Sequence, residues 1–198
     1  MLITLSGIDG AGKSTLAREL RRALEAGGRP VVLRHANHEL GIYGILRSLR
    51  PRRPRRPAAE RVRYLVLWNR PLRAAVFLAD LVVFASYRWF IETVRRRDLI
   101  MDRYFYDTLV DLSGPRSWTL LRWLARLVPA PDLAILVDAD PEVAFARKGE
   151  HSIDLLRRRA VAYRRVLGWI PTAVVLEQTP PGRRAEEPNR PAPALGAR

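Results

Sequence analysis

Nine consecutive residues carry the strongest chemical signal in the chain. Gly7-Ile8-Asp9-Gly10-Ala11-Gly12-Lys13-Ser14-Thr15 matches G-x-x-x-x-G-K-[ST], placed after an apolar run and before a helical pattern. Glycines let the backbone curl so that successive N–H groups converge on phosphate oxygens, and a helix N-terminus adds partial positive charge. In this arrangement Gly7, Gly10, Ala11, Gly12 and Thr15 cradle the phosphates of ATP. Lys13 reaches the β- and γ-phosphates, and the Ser14 hydroxyl ligates Mg²⁺. Such a loop needs a carboxylate from a second strand to organise the ion, and Leu99-Ile100-Met101-Asp102 ends in one, with Arg103 next. Asp102 could instead cap a turn, with Tyr104 and Phe105 in the core. Its place at the end of an apolar run, where open α/β sheets bind ligands, favours the metal role.

The elements that must hold these residues alternate along the chain. Short apolar runs predict strands over 2–6, 30–33, 98–102, 132–137 and 173–176. Between them, helices are predicted over 13–25, 61–68, 72–97, 109–127 (interrupted at Ser113-Gly114-Pro115) and 154–167. Leu16, Leu20 and Leu24 give the first helix one apolar face. Strands alternating with helices imply an α/β fold of three layers: a five-stranded parallel sheet with helices on both faces. The expected organisation is a single P-loop NTPase-type domain over 1–178, with a lid at about 145–158. An arginine/proline-rich loop is expected over 47–60, and a disordered tail over 179–198.

Composition narrows the setting. The 198 residues contain no cysteine, which excludes disulfides and thiolate metal sites and fits a reducing cytoplasm. The N-terminus lacks a basic segment and reads as a strand, not a signal peptide. The net charge of +15 is almost all arginine, since only Lys13 and Lys148 are lysines. Residues 47–73 hold ten arginines against one acid, Glu60. That block could contact nucleic acid or an anionic membrane, but no aromatic residues interleave its Arg-Pro core for base stacking, and a solvated loop is the preferred reading. The apolar stretch 74–94 is broken by Asp80 and Arg88. It reads as a core helix, with peripheral membrane attachment the alternative. His35, His38 and His151 have neither metal nor triad spacing, and His35 and His38 read equally as loop residues or substrate contacts.

Three runs together resemble the thymidylate kinase family: the Gly7–Thr15 loop with its Asp9, Asp102-Arg103-Tyr104, and Pro131-Asp132-Leu133 leading to Val137-Asp138-Ala139-Asp140-Pro141-Glu142-Val143-Ala144. The resemblance covers about residues 1–178 in order and spacing. It implies ATP- and Mg²⁺-dependent phosphoryl transfer to a nucleoside monophosphate, dTMP becoming dTDP, without a covalent intermediate. It implies that Arg103 grips the acceptor phosphate, with Asp9 and Tyr104 beside the acceptor. It also implies that a lid arginine completes the site, since the loop's only basic residue is Lys13. Arg147, in Arg147-Lys148-Gly149-Glu150-His151, is the expected donor. Arg157–Arg159 lie behind it, and could equally be a solvated face. The catalytic set is then Lys13, Arg103 and Arg147. The long helix 72–97 would suit a homodimer interface.

The same pattern breaks at the acceptor. Arg34 keeps an expected nucleotide-contacting arginine, but His35-Ala36-Asn37-His38-Glu39 replaces the glycine turn that should follow it. Counting back from Asp102 puts the base-stacking aromatic at Phe77 and leaves Leu81 where an arginine is expected, unless Arg88 or Arg70 takes that role. Asp107 and Asp111, one helical turn apart, either bind a hydroxyl-rich or cationic acceptor or pair with nearby arginines; pairing is the preferred reading. A P-loop kinase for a sugar, a lipid-linked precursor or another metabolite is therefore the second hypothesis. A catalytically silent nucleotide-binding protein is the third.

Overall fold

The computed structural model describes residues 1–35, 70–114, 117–149 and 151–178. The arginine-rich loop 47–60, the helix expected over 61–68, His38 and Glu39, Pro115, Glu150 and the tail 179–198 lie outside the described residues, as do the side chains of 70–74.

Five strands form one parallel sheet in the order β2-β3-β1-β4-β5. They are β1 (Leu2–Ser6), β2 (Val31–His35), β3 (Asp98–Asp102), β4 (Leu133–Asp138) and β5 (Ala173–Glu177). β1 and β3 are buried along their whole length, as continuous apolar runs in a sheet covered on both faces must be. Leu5 stands between Asp102 of β3 and Ile135 of β4, so the ends of all three strands meet beside the loop. From β1 the chain goes to β2 on one side, and from β4 to β5 on the other. Such a reversal is where open parallel sheets leave a crevice at the strands' carboxyl ends.

The helices among the described residues are α1 (Lys13–Ala26), α2 (Arg70–Trp89), α3 (Phe105–Asp111), α4 (Trp118–Leu127), α5 (Pro141–Lys148) and α6 (Ile153–Leu167). A π-type turn, Phe90–Val94, closes α2. α2 buries Phe77, Leu81, Phe84 and then Ile91, a stripe at helical spacing. Phe84 packs edge-on against Tyr104 and Phe105, ring centroids 5.2 and 5.4 Å away.

Besides small shifts of strand and helix ends, two departures from the sequence expectation have local reasons. α3 starts at Phe105, not 109, because the Asp107 carboxylate accepts the Tyr104 backbone N–H at 2.9 Å and caps the first turn. α5 falls in a segment read only as the way into the lid. Pro141 sits in its first turn, and Asp140 accepts the Glu142 N–H at 2.8 Å.

Candidate active site

The loop after β1 is bare backbone pressed against its neighbours. Gly7 has φ +146°, and a Cβ there would lie 2.4 Å from the carbonyl oxygen of Val137 on β4. Gly10 has φ +89°, and its Cβ would lie 2.4 Å from the carbonyl oxygen of Ala144 on α5. Neither position has room for a side chain, so the loop is held between strand and helix. Lys13 folds back over it: Nζ donates to the carbonyls of Gly7 (2.8 Å) and Ile8 (2.7 Å) and is almost fully buried. Burial lowers the Lys13 pKa below the ordinary lysine value, against the opposing charges of Asp107 and Asp102.

Asp102 closes the other side. Its Oδ2 accepts the Ser14 hydroxyl at 2.6 Å, and His35 Nδ1 stands 3.3 Å from the same oxygen. Its Oδ1 is buried with no hydrogen-bond partner among the described residues. Burial pushes the carboxyl upward, but hydrogen bonds from His35 and Ser14 and the charges of His35 and Lys13 outweigh it, so the net shift is down. A hydroxyl beside a carboxylate with a spare oxygen is a hard, all-oxygen donor pair. Mg²⁺ commonly takes one or two protein ligands and completes its shell with water and substrate phosphates, so Ser14 and Asp102 fit that ion.

Facing this pair is a knot of opposite charges around Asp9. Arg103, which has a left-handed backbone (φ +71°), pairs with Asp9 Oδ1. Arg159 of α6 reaches Asp9 Oδ2 at 3.4 Å and also pairs with Asp111. His151 Nε2 stands 3.3 Å from the same Asp9 oxygen. The cavity between loop and knot encloses about 650 Å³. Among the described residues lining it, the cations Lys13, Arg103, Arg147, Lys148 and Arg159 outnumber the carboxylates Asp9, Asp102 and Asp111. The described lining is therefore net positive, the balance that a polyanionic ligand requires.

The expected site residues divide sharply. Asp9, Gly10, Gly12, Lys13, Ser14, Thr15, Asp102, Arg103 and Arg147 line one cavity. Gly7 and Ala11 are buried and are not among the residues lining it. Arg147 hydrogen-bonds Gln178 Oε1 at 3.1 Å. Phe77, Tyr104 and Arg34 are not brought there. Phe77 is buried on the core side of α2, edge-on to Phe105 at 5.7 Å. Tyr104 is buried, and its hydroxyl donates to the Pro129 carbonyl at 2.7 Å; burial pushes its pKa upward. Arg34 donates to the Tyr87 hydroxyl at 3.2 Å, while the next residue of β2, His35, lines the cavity. Strand alternation sends successive side chains to opposite faces. Leu81 is buried, and Arg88 cannot replace an arginine there. It binds Glu92, Asp132 and the Ala130 carbonyl, at the opposite, amino-terminal edge of the sheet.

Asp107 and Asp111 pair with arginines, in different ways. Asp107 is a buried anchor, accepting from Ser6 Oγ (2.7 Å) and the Tyr163 hydroxyl (2.8 Å), with Arg103 at 3.8 Å. Asp111 is half exposed and holds Arg159. Of the three consecutive arginines, only Arg159 lines the cavity; Arg157 binds Glu142 on the surface, and Arg158 donates to the Asp154 carbonyl. His35, Lys148 and His151 also line the cavity.

Comparison with known proteins gives a consistent match. The family model described as Thymidylate kinase covers residues 5–165. A thymidylate kinase of Hahella chejuensis is 32% identical over 158 residues, covering 74% of this chain and 68% of that protein. One from Xanthomonas campestris pv. campestris (strain B100) is 33% identical over 149 residues, covering 74% of this chain and 60% of that protein. One from Xanthomonas euvesicatoria pv. vesicatoria is 32% identical over 150 residues, with the same coverage. The chain thus spans 60 to 68% of the length of these relatives.

Proposed function

Because the chain belongs to the thymidylate kinase family, we propose that it transfers the γ-phosphoryl group of ATP to a nucleoside monophosphate, with dTMP as acceptor and dTDP as product. The observation that carries this reading is the placement of Arg103, Arg147 and Arg159 across one cavity from Lys13 and the glycine loop. A donor phosphate chain and an acceptor phosphate can therefore be held face to face.

In this reading the loop N–H groups and Lys13 hold the β- and γ-phosphates, with the Lys13 ammonium exchanging its loop carbonyls for phosphate oxygens. Ser14 and Asp102 would hold Mg²⁺, which when bound neutralises charge on the phosphates. Arg103 leaves Asp9 for the acceptor phosphate, and Asp9 turns to the acceptor's sugar. An acceptor phosphate oxygen attacks Pγ in line, the bond to the ADP oxygen breaks, and Arg147 stabilises the charge on the moving group. Arg147, near the end of α5, already lines the cavity, and in this reading closure of the lid expected at about 145–158 excludes water.

The test is coupled ADP release over a panel of nucleoside monophosphates and phosphorylated sugars. Fastest turnover on dTMP, abolished by Lys13→Ala, is expected. The burial of Phe77 and Leu81 favours one rival, a P-loop kinase for another phosphorylated acceptor, and preferential turnover of a sugar phosphate would establish it. ATP binding without turnover on any acceptor would instead indicate a silent nucleotide-binding protein.

We place the protein in the cytoplasm, where its donor is abundant. We propose a homodimer through α2, a reading supported by the exposed Leu78, Val82 and Trp89, which share one uncharged stripe of the helix. No described helix is long and apolar enough to cross a membrane.

A further inference from the structure

α4 presents a face that the catalytic reading does not use. Its inner side is fixed: Leu121, Ala125 and Val128 are buried, and Trp118 packs edge-on to Trp169 at 6.2 Å with Arg165 stacked over it at 4.3 Å. Its outer side carries Leu120, Trp123 and Leu127, respectively 62%, 62% and 57% exposed. The spacing i, i+3, i+7 puts the three on one stripe. Arg122 and Arg126 are exposed along the flank of that stripe, and Arg126 stacks on the Trp123 ring at 4.8 Å. The helix contains no acidic residue.

From this arrangement we infer that the outer face of α4 docks on an anionic lipid surface. Leu120, Trp123 and Leu127 enter the boundary between headgroups and acyl chains, and Arg122 and Arg126 pair with lipid phosphates. Ten residues rise only about 15 Å, half a bilayer core, so the helix lies in the interface and does not span it. Tryptophan with an apolar body and a polar N–H belongs at that depth, and arginine stems bury their methylenes while the guanidinium stays with the phosphates. A net charge of +15 draws the whole chain toward a negative leaflet before the face engages.

Charge decides against the other occupants. A second copy laid on this face would set Arg122 and Arg126 against their own counterparts, with no carboxylate on the helix to answer them. Nucleic acid would satisfy the arginines but leave Leu120 and Leu127 wet, with one ring available for stacking.

The test is flotation of the full chain with phosphatidylcholine vesicles, with and without phosphatidylglycerol. Binding at least tenfold stronger to the anionic vesicles is expected. It should fall at least tenfold in Trp123→Ser/Leu127→Ser and in Arg122→Glu/Arg126→Glu. Arg157→Glu/Arg158→Glu, a charge-matched change on another surface, should lose much less. Vesicles with brominated acyl chains should quench tryptophan fluorescence in the unaltered protein. Trp123→Phe should keep the binding and lose the quenching. Four outcomes overturn the proposal: equal loss in the charge-matched control, full binding by Trp123→Ser/Leu127→Ser, quenching that persists in Trp123→Phe, or the same substitutions dissociating a dimer or releasing RNA while lipid binding stands. None of these variants touches the cavity, so phosphoryl transfer in solution is expected to continue in all of them, whatever its acceptor.

Discussion

At the loop after β1, glycine backbone, the folded-back Lys13 side chain and the Ser14 hydroxyl meet the cavity within five residues, Gly10 to Ser14, backed by Asp102 one strand away. On α2, by contrast, the two positions expected to read an acceptor's base, Phe77 and Leu81, are buried and do not line this cavity. The phosphate end is thus set by local sequence, because curled backbone binds phosphate whatever lies beyond it. The base end depends on which side a long helix turns toward the sheet, and that is decided by packing.

The sharpest way to break this contrast is Phe77→Ala. As a buried ring against Phe105, its loss should cost about 3–5 kcal/mol of stability, visible as a large fall in Tm. Phe77→Leu, which refills most of the volume, should restore Tm and leave acceptor KM unchanged; a raised KM in that variant would return Phe77 to the acceptor. Next comes Gly10→Ala, which combines positive φ with a collision against the Ala144 carbonyl and should cost about 1–3 kcal/mol. Gly28→Ala is its control: φ is +75°, nothing lies within 4 Å of the added Cβ, and only backbone strain of about 1 kcal/mol remains. Equal Tm changes would mean that contact with α5 is unimportant.

Arg159→Ala should raise acceptor KM about tenfold, the effect of losing one charge-assisted hydrogen bond. Arg157→Ala, two residues away but paired with Glu142 in solvent, should leave both KM and Tm where they were. The smallest effect is on pH dependence. Burial holds the free Lys13 pKa down, so kcat/KM for ATP should begin to fall, as the ammonium deprotonates, below the pH where an ordinary lysine titrates. An alkaline limb at or above that point would contradict the burial argument.

Much of this was legible before any coordinates. β1 and β3 have the predicted bounds because fully buried parallel strands are unbroken apolar runs with charged or glycine punctuation. The pairing of Lys13, Ser14 and Asp102 followed from a motif whose chemistry dictates its context. α5 was missed because Asp140-Pro141 was read only for its likeness to a lid entry, although an acidic cap followed by proline is also a helix start. The knot around Asp9 was hidden for another reason. It joins residues from the loop, the turn after β3, α3, the segment before α6 and α6 itself, and no local pattern shows which of three adjacent arginines on α6 turns inward. Only Arg159 does. Neighbouring tyrosines hid a different fact: Tyr104 sits next to Arg103 in sequence, but capping and the hydrogen bond to Pro129 turn it into the core.

The absence of a side chain at position 10 has a consequence in time as well as in space. With only van der Waals separation between the loop backbone and the Ala144 carbonyl, a shift of the loop on phosphate arrival has no slack before α5 must move too. α5 ends at Lys148, just past Arg147, and Gly149 follows in a left-handed turn at φ +60°. The two segments should therefore fluctuate as one body. Relaxation dispersion at the Gly10 and Gly149 amides should report a single exchange rate, and nucleotide should quench both together.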